Sequence, residues 1–258
     1  MPKIGLKLWS TNLHYLPEVR DLFCRKVFDY IELFIVPGSG ETIHDWQGLR
    51  IPYVLHAPHT GAGLNPSIPS LREHNLELVR QVNDFFTALS PTWVIFHPGA
   101  DGTRQEAILQ FRSFGDRYPL MYKKAVIENK PRCGLHDQRC VGDSPDEILK
   151  LCKGTSLGFC FDIPHAIYYA YAADLEWEKE TKEFLSLAPV IFHICDGYYT
   201  KKDTHAHFGN GELDLHKIFA MLPSDCLVTI ETPKDSNSDL RDFEKDVEVF
   251  RKYAAGKV

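Results

Sequence analysis

The chain has 258 residues, 44% hydrophobic and 25% charged, with a formal net charge of −6. That balance argues against a surface that holds nucleic acid by its own charge alone. No run of about 18 apolar residues offers a membrane span, and no linker-like or low-complexity stretch marks a boundary, so one domain over residues 1–258 is expected.

The opening MPKIGLKLWS moves directly into a strand pattern, with no apolar signal-peptide core. KIGLKLWS (3–10) is the first of eight β-like runs; the second is FDYIELFIV (28–36), followed by a short helical candidate at 42–47. IPYVLHAP (51–58) precedes a helix over 69–89, with apolar residues at three- and four-residue spacing. TWVIFHPG (92–99) and KKAVIENK (123–130) come next, then a helix over 144–154 with Ser144 as N-cap, Pro145 in its first position and Gly154 as its stop. SLGFCFDIP (156–164), VIFHICDG (190–197) and CLVTIETP (226–233) complete the strands, and a helix over 239–255 closes the chain. Near-continuous apolar strands suit a parallel sheet buried on both faces. Eight of them alternating with helices predict a single (β/α)8 TIM barrel. A doubly wound open sheet is the competitor, but it would more often carry a Gly-rich phosphate loop, and none is present.

In such barrels, function sits at the C-terminal strand ends. Those ends present His56, His97, Glu128, Asp162, His165, His193 and Glu231, and the loop after the seventh run adds Asp203 and His205. A lone histidine at a strand end is most often structural. A glutamate after apolar residues, as in IEN and IET, needs a partner when buried. Nine such residues converging point instead to metal ligation, with Zn²⁺ or else Mn²⁺ or Fe²⁺ suited to imidazole and carboxylate. No cysteine stands at these positions, which disfavours a thiolate zinc site. The set exceeds the needs of one ion and suffices for three if a carboxylate bridges; three divalent ions would turn an acidic chain locally into an anion trap. In DTHAHFGNGELD (203–214), Asp203 and His205 are two apart and share one face of an extended segment. His207 continues that face as a supporting residue or substrate contact. Gly209 and Gly211 are read as backbone-turn positions.

HAP at His56, FHPG at His97, IEN at Glu128, FDIPH at Asp162–His165, H-x-x-D at His193–Asp196, D-x-H-x-x-x-G-x-G at Asp203–Gly211 and ETP at Glu231 stand in one order. In that order the sequence resembles the endonuclease IV family of apurinic/apyrimidinic endonucleases, within the xylose-isomerase-like barrels. The resemblance implies three zinc-type sites: His56, His97 and Glu128; the bridging Glu128 with Asp162, His193 and Glu231; and His165, Asp203 and His205. It implies hydrolysis of the phosphodiester 5′ to an abasic site in DNA, with Glu128 and Glu231 as the expected catalytic carboxylates. Two positions depart from the family pattern. His59 stands where a tyrosine is usual, and IVPGSGETIHDW after the second run has no Lys or Arg.

The main rival is a single-metal sugar isomerase or epimerase using Glu128, Asp162, His193 and Glu231, its two glutamates moving a proton beside a carbonyl. It leaves His56, His97, Asp203 and His205 unexplained as a group. A non-catalytic metal-binding scaffold is a third reading. Cys133, His136 and Cys140 look ligand-like but lack a fourth ligand, so a mobile loop is expected there. Arg132 and Arg139 are read as solvated, and Trp9 and Phe34 as pocket lining or barrel filling. The seven cysteines have no regular framework, so reduced thiols, a cytoplasmic location, a monomer and no membrane contact are expected.

Overall fold

The computed structural model describes residues 1–134, 136–200 and 203–254. Eight parallel strands close in chain order: β1 (Lys3–Trp9), β2 (Tyr30–Phe34), β3 (Tyr53–His56), β4 (Val94–Phe96), β5 (Ala125–Glu128), β6 (Gly158–Asp162), β7 (Ile191–Ile194) and β8 (Leu227–Ile230). β8 pairs back onto β1 from Lys3↔Leu227 to Leu6↔Ile230. Each strand falls inside the run expected for it.

Parallel neighbours need crossovers rather than tight turns, and helices supply them. They are α1 (Leu16–Cys24), α2 (Ile43–Gln47), α3 (Arg72–Leu89), α4 (Arg104–Arg117), α5 (Pro119–Tyr122), α6 (Pro145–Thr155), α7 (Ile163–Ala173), α8 (Trp177–Leu185), α9 (Leu215–Ala220) and α10 (Arg241–Ala254). Residue 255, the expected end of the last helix, lies outside the described residues. Ser144 caps α6, its side chain accepting from Glu147 N at 3.3 Å. Gly154 does not stop that helix; Ser156 does, at φ 62°. Gly154 serves packing instead, because a Cβ there would stand 2.6 Å from Ile108 Cδ1 of α4.

Side chains alternate across each strand. One set faces the helices and forms the main core, including Leu6, Leu33, Leu55, Phe96, Ile127, Phe161, Phe192 and Ile230. The other set fills the barrel, where Tyr30, Val54, Ile95, Val126, Cys160 and Ile191 pack together. Two residues further along each strand, the inward positions become polar: Glu32, His56, His97, Glu128, Asp162 and His193, all buried. β1 and β8 contribute Lys7 and Glu231 at the same level, in contact with each other. An apolar plug thus supports a polar layer drawn from all eight strands.

Candidate metal centre

Glu128 is the hub of that layer. It is 1% exposed, and four imidazoles reach it: His56 Nε2 and His97 Nε2 at 3.1 Å each, His165 Nδ1 at 3.3 Å and His193 Nδ1 at 3.4 Å. Four histidines of the layer have one ring nitrogen tied to a fixed acceptor. His56 Nδ1 contacts Ala57 O, His165 Nδ1 contacts Asn129 O and His205 Nδ1 contacts Glu231 O, at 2.8, 2.9 and 2.8 Å. His193 Nε2 contacts Glu32 at 2.9 Å. Such contacts select the tautomer and aim the opposite nitrogen inward, as in metal-ligating histidines.

His56, His97 and Glu128 gather ligand atoms within 4.8 Å of one another, one of the groupings that the resemblance implies. In the second implied set, His193 Nδ1 lies 2.8 Å from Glu231, 3.4 Å from Glu128 and 4.0 Å from Asp162, and Asp162 also groups with Glu128 and His165. Asp162 caps α7, accepting from His165 N at 2.7 Å, which draws its carboxylate toward that helix. Asp203 joins His165 (3.1 Å) and His205 (3.2 Å) through different oxygens, in a row rather than a compact triad. His97 Nε2, His193 Nδ1 and Asp203 Oδ1 are buried without a hydrogen bond among the described residues. Unsatisfied ligand atoms converging in a set of imidazoles and carboxylates fit divalent cations.

Three charged partners escaped the sequence reading. Glu32 is fully buried, holds His193, and accepts from Thr229 Oγ1 at 2.6 Å. Lys7 Nζ lies 3.2 Å from Glu32 and also touches Glu231. Lys130 Nζ lies 3.5 Å from both Glu128 and His165 Nε2. Lys7 and Glu32 lie inside their strands, followed by Trp9 and Phe34, so inspection of strand ends passes over them; the two-residue alternation would have found them. Cys160 also borders the layer, its Sγ 3.6 Å from His193 Nε2. Burial pushes that thiol up to about 12.

Burial and charge oppose one another throughout the layer. Burial disfavours ionised Glu32, but His193 and Lys7 outweigh it and hold the carboxyl at about 2. Burial, with Glu231 and Glu128 adding to it and His165 and His193 opposing it, raises Asp162 to about 6. His165 is raised to about 9, because Asp162 and Asp203 overcome its burial. His59 goes the other way, to about 4, through burial and the cationic surroundings. It stacks on His97 at 5.8 Å, a neutral ring beside the cluster.

Above the layer lies a cavity of about 710 Å³, lined on one side by Trp9, Asn12 and Lys234 and on the other by Gly134, His136 and Gln138. Trp9 is 56% exposed and leans on buried Phe34, so both line or border this mouth. The loop carrying Cys133, His136 and Cys140, expected to be mobile, is hydrogen-bonded to the loop after β4: Asp101 N donates to Arg139 O at 2.8 Å and Val141 N to Gly99 O at 3.0 Å. Arg132 and Arg139 are exposed and do not line the cavity. His207 turns away from the site to Asp246 of α10 at 2.7 Å, contrary to its expected role. Gly209 takes φ 87°, and a Cβ on Gly211 would stand 2.3 Å from Asp196, whose carboxylate accepts from both glycine N–H groups at 2.9 and 3.0 Å. Asp196, the end of the H-x-x-D motif, is therefore the residue that shapes the loop presenting Asp203 and His205. Among the described residues, no helix is long and apolar enough to cross a membrane.

A "Probable endonuclease 4" of Aquifex aeolicus is 26% identical to the chain over 227 residues, covering 76% of each. By structure, a D-tagatose 3-epimerase-like protein matches with TM-score 0.75 at 19% identity, covering 99% of this chain and 98% of that one. Endonuclease IV from Thermus thermophilus matches with TM-score 0.71 at 18% identity, covering 99% and 100%. The family model described as a xylose isomerase-like TIM barrel matches residues 28–253. With a closed barrel and the polar layer at its C-terminal rim, the chain belongs to the xylose isomerase-like TIM barrel family.

Proposed function

We propose that the chain is a metal-dependent phosphodiester hydrolase of the endonuclease IV type, with a strand carrying an abasic site as its first candidate substrate. The observation that carries this reading is the convergence of four imidazoles, His56, His97, His165 and His193, on one buried carboxylate, Glu128. His56, His97 and Glu128 would hold one ion, Glu128, Asp162, His193 and Glu231 a second, and His165, Asp203 and His205 a third. Zinc suits these donors best, with manganese or iron as substitutes. Bound there, such ions supply Lewis-acid charge to a phosphoryl oxygen and acidify water. The chain's own residues do the rest. Glu128 ties neighbouring sites together; Lys7 offsets the charge of Glu32 and Glu231; Lys130 brings an ammonium to the rim where a phosphoryl group would rest. A role in repair of DNA, in the cytoplasm and as a monomer, belongs to this reading.

The pair of glutamates beside His193 favours a second reading, in which Glu128 and Glu231 work on either side of a small sugar as an isomerase or epimerase. Both glutamates face His193, at 3.4 and 2.8 Å. Metal analysis of the purified protein and incubation with a duplex carrying an abasic-site analogue separate the two. Near three ions per chain and a nick at the analogue support hydrolysis; near one ion and no nick support the isomerase. Glu128→Gln is expected to lose both metal and nicking, and full activity in that variant would remove the proposal.

A further inference from the structure

Among the described residues, three lysines line the cavity. Lys7 is committed to Glu32 and Glu231, and Lys130 to Glu128. Lys234 is different. Its half-buried amine donates to Thr232 O at 2.8 Å, lies 5.7 Å from the centre of the Phe243 ring, and has no carboxylate within ion-pairing distance among the described residues. An ammonium has three donors, so two are unspent. Asn12 uses its side-chain oxygen on Trp9 N at 2.8 Å, which leaves its amide N–H groups available, and Asn237 also lines the cavity. Thr232 and Pro233, which join Lys234 to Glu231 along the chain, line the cavity as well.

We propose that Lys234, with Asn12 and Asn237, forms a subsite for a substrate phosphate that lies away from the reacting bond. The proposal deepens the proposed function and rests on this cavity being the substrate site. Ammonium and carboxamide donors on one concave wall match the several acceptor oxygens of a phosphate. Burial holds the Lys234 amine at about 8 against the fields of Asp242, Asp246 and Glu231; those carboxylates do not replace its lost solvation, and a bound anion would. That phosphate has two sources: the next nucleotide of a strand, or the terminal group of a small phosphorylated sugar.

Calorimetric titration of the metal-loaded protein with ribose, ribose 5-phosphate and a trinucleotide containing a tetrahydrofuran abasic analogue tests this. At least one phosphorylated probe is expected to bind better than ribose, and the better one identifies the source. Lys234→Met should weaken that probe by about tenfold or more while leaving metal content unchanged, and Lys234→Arg should recover most of the affinity. On the unaltered chain, the preferred probe should slow reductive methylation of Lys234, read by mass spectrometry, which keeps the test independent of variant folding. Equal binding by wild type and Lys234→Met, absence of protection, or no preference of wild type for either phosphorylated probe would overturn the subsite. Loss of the metal complement with protection retained would instead sink the metal centre and leave the subsite standing.

Discussion

Glu128 and Glu32 show how two buried carboxylates on one barrel do different work. Glu128 faces ring nitrogens that are otherwise free, whereas Glu32 holds His193 from behind and fixes which nitrogen points inward. Removing the charge of Glu32 while keeping its shape, by Glu32→Gln, should therefore weaken metal binding by about 10–100-fold without abolishing it. Competition with a chromogenic chelator checks this, and an affinity unchanged from wild type would return Glu32 to a purely structural role. The raised imidazoles predict a pH dependence. His165, at about 9, and His193, raised well above its usual value by Cys160, Glu231, Glu32 and Glu128 against its burial, are protonated at neutral pH in the metal-free chain. A cation must displace those protons, so uptake releases protons at pH 7 and apparent affinity climbs as pH rises toward 9. Calorimetry in two buffers of different ionisation enthalpy measures the release; equal heats would contradict it.

At the scale of elements, helix starts hold the rim in place. Ser144 opens α6 after the long loop that walls the cavity, and Asp162 opens α7 while facing the cluster. The two caps make opposite predictions. Ser144→Ala should cost about 1 kcal/mol of stability, seen as a lower urea midpoint, with metal content untouched. A loss of metal in that variant would mean that the loop and the centre are coupled more tightly than their contacts indicate. Asp162 cannot be separated in this way, since one oxygen caps the helix and the other faces His165 at 3.4 Å.

For the whole molecule, closure of the barrel concentrates charge that no single strand could tolerate. Glu32, Glu128, Asp162, Asp203 and Glu231 converge with Lys7, Lys130 and the histidines above a plug of Tyr30, Val54, Ile95, Val126, Cys160 and Ile191. Cations that bind only the folded chain stabilise it by mass action. Chelator treatment should accordingly lower the melting temperature, and zinc should restore it; a melting temperature indifferent to both would argue that the lysines and protonated histidines already satisfy the layer.

By itself the sequence determined the barrel and the C-terminal rim, because strand burial on both faces and helical spacing are periodic signals written locally. It also marked His56, His97 and Glu128 as strand-end candidates, since each directly ends or follows a strand. Only the tertiary structure decided the contacts of Lys7, Glu32, Lys130 and Lys234, the turning of His207 toward α10, and the double position of Asp162 as helix cap and cluster member. Those outcomes depend on how eight strands are staggered and which side chains meet across the barrel, and distance across a closed sheet leaves no trace in the spacing of residues along the chain.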